Sequence, residues 1–177
     1  MNKIQSISHK MQILFETLLI LAPVATIAYW TFYEFFAQVG INWFSYEFYH
    51  QTITVNYKSK ILAMIVTFIP TSVIMYGIIR LKKLFFNYSN NLFFTHENVV
   101  IYRQLGKALF ALVIADILII PLLSFALSYQ NPVGSRFISV AIGSSEIITL
   151  IIGFIVMTVS YVMNEAYKLE LEAQHTV

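Results

Sequence analysis

Two carboxylic acids, Asp116 and Glu146, lie inside long apolar stretches of this 177-residue chain. Asp116 stands nine residues past Lys107, about 13 Å along a helix. Glu146 stands nine residues past Phe137 and enters from the opposite direction, so helical rise sets it at a similar depth of about 13 Å. No Lys, Arg or His falls near the middle of either stretch. An acid without a fixed internal cation at membrane depth must be protonated, hydrogen-bonded, hydrated, or paired with something that arrives. Two chemistries therefore stay open for Asp116 and Glu146: a protonated acid bonding a neighbouring helix, or a proton, cation or cationic-ligand site. Other chemistries find no residues. There is no cysteine, and no HExxH, GxSxG or P-loop spacing occurs. The four histidines (His9, His50, His96, His175) lie outside the apolar stretches, which excludes an intramembrane haem. We expect no enzyme, no metal and no cofactor.

The elements that must position these acids follow from composition. Charged residues make up 11% of the chain and hydrophobic ones 58%, against roughly 25% charged in a soluble domain. A helix needs about 20 mostly apolar residues to cross the hydrocarbon. Four windows qualify, near 13–33, 61–81, 107–127 and 137–163, and predict an all-α, polytopic transmembrane four-helix bundle in one domain. Eight basic residues (Lys3, Lys10, Arg80, Lys82, Lys83, Arg103, Lys107, Lys168) fall on one side and three (Lys58, Lys60, Arg136) on the other. The positive-inside rule puts both termini and the 82–106 loop in the cytoplasm. A cleaved signal peptide is the weaker reading of the N-terminus, because Gln12 and Glu16 interrupt its apolar run and hydrophobicity continues to Tyr33. Glu16, one turn inside, is expected to reach Lys10 or His9.

Local signals add detail. The outer loop 34–60 holds Phe35, Phe36, Trp43, Phe44, Tyr46, Phe48, Tyr49 and Tyr57, read as an interfacial aromatic belt or a lid over a pocket. Thr95 is placed to cap a helix, with Glu97 in its first turn. That helix should run straight into the third span, and the fourth should continue into the tail 164–177. Pro23, Pro70 and Pro121 can kink their spans. Ser139, Gly143, Glu146, Leu150, Gly153, Met157 and Ser160 repeat at helical steps and form one small-residue face, read as packing or as room beside Glu146.

The run NLFFTHENVVIYRQLGKALF, with its Phe-Thr-x-Glu-Asn core, and the ending NEAYKLELEAQHTV resemble a bacterial four-pass membrane family, domain of unknown function 2975. The likeness covers most of residues 60–177. It implies a bacterial inner-membrane regulatory protein working with a cytoplasmic helix-turn-helix DNA-binding partner, and it transfers no catalytic residue. The expected partner surface is Phe94, Thr95, Glu97, Asn98, Arg103, Glu165, Leu169 and Glu172. A net charge of +2 gives no reason for the chain to bind nucleic acid directly. The alternative is a small transporter working through Asp116 and Glu146. Besides the bilayer and the regulator, association with a second copy of the chain stays open.

Overall fold

The computed structural model describes residues 3–39 and 56–175. The chain is all-helical, 84% helix, with no strand among the described residues. Its elements are α1 (Lys3–Thr31), α2 (Tyr33–Gln38), α3 (Tyr57–Ser89), α4 (His96–Ser128) and α5 (Ser144–His175). All but the short α2 are long and apolar enough to cross a bilayer. Their outward faces carry Ile20, Leu21, Ile65, Ile114, Phe125, Ile151 and Phe154, each about half exposed or more. Exposing one such side chain to water forfeits about 1.5–3 kcal/mol, whereas hydrocarbon solvates it. This is a multi-pass membrane protein.

The long helices pack in sequence order. The α1–α3, α3–α4 and α4–α5 pairs form the interfaces, and no comparable α1–α5 interface closes the ring among the described residues. The bundle is therefore open, and α4 sits at its centre with the most buried face. Its seams are lined by small and polar residues, as helix contacts in lipid require. Ser59, Ala63, Thr67, Ala108, Ala115, Ser124, Ala126 and Ser160 are all buried. A methyl group on Gly106 would touch the Met157 backbone nitrogen at 3.4 Å, so α4 and α5 approach closely there. Ser160 Oγ donates to the Val99 carbonyl across the same seam, 3.1 Å. Of the face predicted from Ser139, Gly143, Glu146, Leu150, Gly153, Met157 and Ser160, the stretch Gly153, Met157 and Ser160 serves packing, whereas Ser139 and Gly143 precede the helix and lie on no helical face. Pro23, Pro70 and Pro121 all lie inside continuous helices.

Most of the 82–106 loop is helix. Only 90–95 turns, because α3 runs on to Ser89 and α4 begins at His96. The turn is a Schellman closure: Leu92 N–H bonds the Asn87 carbonyl (3.0 Å) and Asn91 N–H the Tyr88 carbonyl (3.2 Å). Asn91 takes the left-handed conformation this closure demands, φ 60°, which asparagine tolerates better than other residues bearing a Cβ. Thr95 then caps α4, its side chain accepting from Asn98 N–H at 3.3 Å.

The fourth span departs from expectation. Helix was predicted from Phe137, but α5 starts at Ser144, and residues 135–143 are non-helical. The segment lies along the half of α4 nearest Ser128. Phe137 N–H and carbonyl both bond Ser128 Oγ (3.2 and 3.0 Å), and Ser139 N–H bonds Ser124 Oγ (3.0 Å). Burial alternates with period two: Ile138, Val140 and Ile142 face out at 67%, 72% and 65% exposure, while Phe137, Ser139 and Ala141 turn inward. That is the habit of an extended chain of β-branched residues. Serine hydroxyls of α4 take over part of the bonding that helix would supply, as backbone in lipid requires.

Candidate functional site

Asp116 lies on α4 and lines a cavity of about 230 Å3 between α1, α3 and α4. Its other walls include Thr26, Trp30, Thr67, Pro70 and Thr71. These polar groups bond one another. Trp30 Nε1 donates to Thr67 Oγ1 (2.9 Å), Thr26 and Thr71 share a hydroxyl–hydroxyl bond (3.2 Å), and Thr71 donates to the Thr67 carbonyl (2.9 Å). Asp116 is half-buried and makes no hydrogen bond or ion pair among the described residues. The cavity thus joins a self-satisfied hydroxyl wall to one unpartnered carboxyl at membrane depth. A proton, a small cation or the ammonium end of a ligand would complement it. Sequence reasoning singled out Asp116 and missed Thr26, Thr67, Thr71 and Trp30. The signal was present in Thr67 and Thr71, which share one face of α3 at a four-residue step and flank Pro70.

Glu146 does not line this cavity. It stands in the first turn of α5, where its carboxylate accepts from Gly143 N–H at 2.7 Å, the reciprocal half of a capping box. Glu146 and Asp116 stand on helices packed against one another, α5 and α4. Their common level, expected from helical rise in both spans, arises differently. On α5's side the extended 135–143 segment covers the distance, and the helix begins only beside Glu146. Glu146 is thereby committed to the helix start, and Asp116 alone faces the cavity.

The second group of candidate residues surrounds the 90–95 turn. Asn98 is fully buried. Its Nδ2 donates to the Leu92 and Phe93 carbonyls (2.7 and 2.8 Å), and its Oδ1 accepts from Asn87 Nδ2 (2.8 Å). Asn87 Nδ2 also reaches Glu97 Oε2 (2.8 Å), and Glu97 pairs with Lys83. The Lys83 contact and the Asn87 amide hold the Glu97 carboxyl below its ordinary range. Burial, then the Tyr102 hydroxyl 2.8 Å away, pushes the Tyr88 phenol up. Asn98, Thr95 and Glu97 therefore clamp the turn. Phe94, Arg103, Glu165 and Leu169 stand exposed around it, with Phe94 and Leu169 the apolar members at 48% and 65%. Glu165 bonds Lys168, and Glu172 is exposed near the end of α5. The rings of His96 and Tyr167, 6.0 Å apart, join the two helix extensions.

Two smaller expectations resolve differently. Glu16 pairs with Lys82 of α3 at 2.7 Å instead of Lys10 or His9, because antiparallel packing brings the end of α3 alongside the start of α1. In the outer loop, Trp43, Phe44, Tyr46, Phe48 and Tyr49 lie outside the described residues. Of the remainder, Phe36 stacks on Tyr29 (5.8 Å) within a cluster that includes Trp30 and Tyr33, while Phe35 and Tyr57 are exposed. Glu34 pairs with Lys60 at 2.7 Å, tying α2 to α3, and that ammonium lowers its carboxyl from the usual value.

Fold and cavity together define the class: an all-helical, multi-pass membrane protein with a polar cavity between its helices. Residues 41–177 match the family described as Protein of unknown function (DUF2975). The chain belongs to that family, in agreement with the likeness carried by its Phe-Thr-x-Glu-Asn turn and its C-terminal helix. No curated protein and no solved structure matches the chain.

Proposed function

We propose that this chain is a bacterial inner-membrane regulatory protein that passes a signal from the bilayer to a cytoplasmic helix-turn-helix partner. The observation that supports the reading most is α4 itself. One uninterrupted helix carries Asp116 beside the cavity and, about 27 Å along its axis, Asn98 inside the clamped turn. Displacement of such a rod at the cavity is transmitted to the turn, since Asn98, Asn87 and Glu97 leave it no slack. The excess of basic residues on the side of the turn supports a cytoplasmic turn. The partner docks on the exposed edge of Phe94, Arg103, Glu165, Leu169 and Glu172. Copurification from solubilised membranes tests this. Recovery of a helix-turn-helix protein, lost in Leu169→Glu, is expected; recovery of no DNA-binding protein, with its target genes unaffected by deletion of this chain, refutes it.

The unpartnered Asp116 also favours a second reading, a small proton- or cation-coupled transporter. It requires pH-dependent uptake in proteoliposomes that disappears in Asp116→Asn. Uptake that survives that substitution excludes the role for this carboxyl.

A further inference from the structure

A second, chemically different groove lies on the α3–α4 pair, on the turn side of Asp116. It encloses about 410 Å3 and is lined by Ser72, Val73, Tyr76, Gln104, Lys107, Ala108 and Ala111. Two facing ladders build it. Ser72, Tyr76 and Arg80 recur every four residues along α3, while Gln104, Lys107 and Ala111 share a face of α4. The helices are antiparallel, so Lys107 and Gln104 gather toward the turn while Val73, Ala108 and Ala111 extend toward the hydrocarbon. The groove is polar at one end and apolar at the other.

Its charges are unbalanced. Among the basic residues near the turn, Lys82 and Lys83 are neutralised by Glu16 and Glu97. Arg80, Arg103 and Lys107 have no carboxylate partner among the described residues. The Arg80 guanidinium instead lies over the Tyr76 ring, 4.8 Å from its centre, at the groove's edge. Two buried polar atoms of opposite sense also lack partners: Arg80 Nε, a donor, and Gln104 Oε1, an acceptor. A buried polar atom left unbonded bears its full desolvation cost, so a ligand that satisfies both is favoured.

We infer that this groove binds the headgroup of an anionic phospholipid whose phosphate carries a hydroxylated substituent, of the phosphatidylglycerol kind. The phosphate meets Lys107 and the Arg80 Nε–H, a glycerol hydroxyl donates to Gln104 Oε1, and the first acyl carbons lie against Val73, Ala108 and Ala111. Basic pockets between spans at the headgroup level recognise lipids in this way. With Lys107 in its wall, Arg80 over the Tyr76 ring at its edge and no acid among its lining residues, an anionic headgroup is preferred over a zwitterionic one. The site is separate from the Asp116 cavity and needs only that the chain reside in a bilayer.

Native mass spectrometry of the full chain in detergent micelles tests the inference. The probes are phosphatidylglycerol, phosphatidylethanolamine and phosphatidic acid with identical acyl chains, and inorganic phosphate. Phosphatidylglycerol is expected to be retained several-fold more than phosphatidylethanolamine, and Lys107→Gln to reduce that retention about fivefold. Lys107→Arg keeps it, and Lys58→Gln, at the opposite end of α3, leaves it unchanged. In alkaline buffer, where the phosphate of phosphatidic acid is fully ionised and carries no donor, Gln104→Leu weakens phosphatidylglycerol but not phosphatidic acid, which lacks the glycerol hydroxyl; a fold defect would weaken both. Equal retention of the glycerol and ethanolamine lipids overturns the proposal, as does retention indifferent to Lys107→Gln. Displacement of the lipid by inorganic phosphate reassigns the groove to a small anion and overturns it equally.

Discussion

The clamped turn at 90–95 and the cavity at Asp116 sit on the same helix and treat their polar groups in opposite ways. At the turn, the polar side chains of the clamp have protein partners: Asn98 bonds two carbonyls and an amide, and Glu97 bonds Lys83 and Asn87. At the cavity, the threonines and Trp30 bond among themselves, and Asp116 is left out. A polar group that is fully satisfied rigidifies the fold; one left unsatisfied at depth is available to something from outside. The contrast teaches that the residues of the Phe-Thr-x-Glu-Asn turn hold the structure together, whereas the one unpartnered acid of the cavity, Asp116, lies in an otherwise ordinary apolar run.

The sharpest way to break this contrast is at Asn98. Asn98→Ala removes three buried hydrogen bonds, worth about 1 kcal/mol each, and should destabilise the protein by about 3 kcal/mol in denaturant titrations in mixed micelles. A loss under about 1 kcal/mol would mean that the turn is not held by this clamp. Trp30→Phe keeps the ring packing but loses the bond to Thr67, and should cost about 1–2 kcal/mol by the same measurement.

A smaller effect appears with pH. The Glu97 carboxyl is held below its ordinary value of 4.5, so its contribution is complete above that pH. It fades as pH falls through the lower value of the folded state. Being largely exposed, the pair contributes under about 1 kcal/mol. The Tm of the parent chain should exceed that of Glu97→Gln at neutral pH, and the gap should close on acidification below pH 4.5. A gap that widens would reverse the assigned sign. Smallest of all is Asp116→Asn. With no protein partner to lose, it should leave stability within about 0.5 kcal/mol of the parent while altering whatever response the cavity governs. A large destabilisation would make Asp116 a structural bond like those at the turn.

How far the sequence foretold this depends on the residue. Hydropathy alone located four membrane helices, and Thr95 announced itself by type and position ahead of an acidic first turn. The start of the fourth helix did not. The run Phe137–Ile142 is apolar but for Ser139, and a short apolar run does not distinguish extended chain from buried helix. Its alternating Ile138, Val140 and Ile142, between Gly134 and Gly143, carried the period-two signal that hydropathy averaging hides. The partner of Glu16 was equally illegible, since whether it meets Lys10 or Lys82 depends on how α1 is rotated against α3. The cavity needed three helices at once: its threonines lie on α1 and α3 and its acid on α4. No single stretch of sequence displays it.

The central claim is that the exposed edge around the clamped turn docks a DNA-binding regulator. The most direct measurement is quantitative mass spectrometry of proteins retained by the full-length chain from solubilised native membranes, compared between the parent and Leu169→Glu. A helix-turn-helix protein enriched with the parent and depleted at least several-fold with the variant is expected. An equal yield from both, or no DNA-binding protein with either, would contradict it.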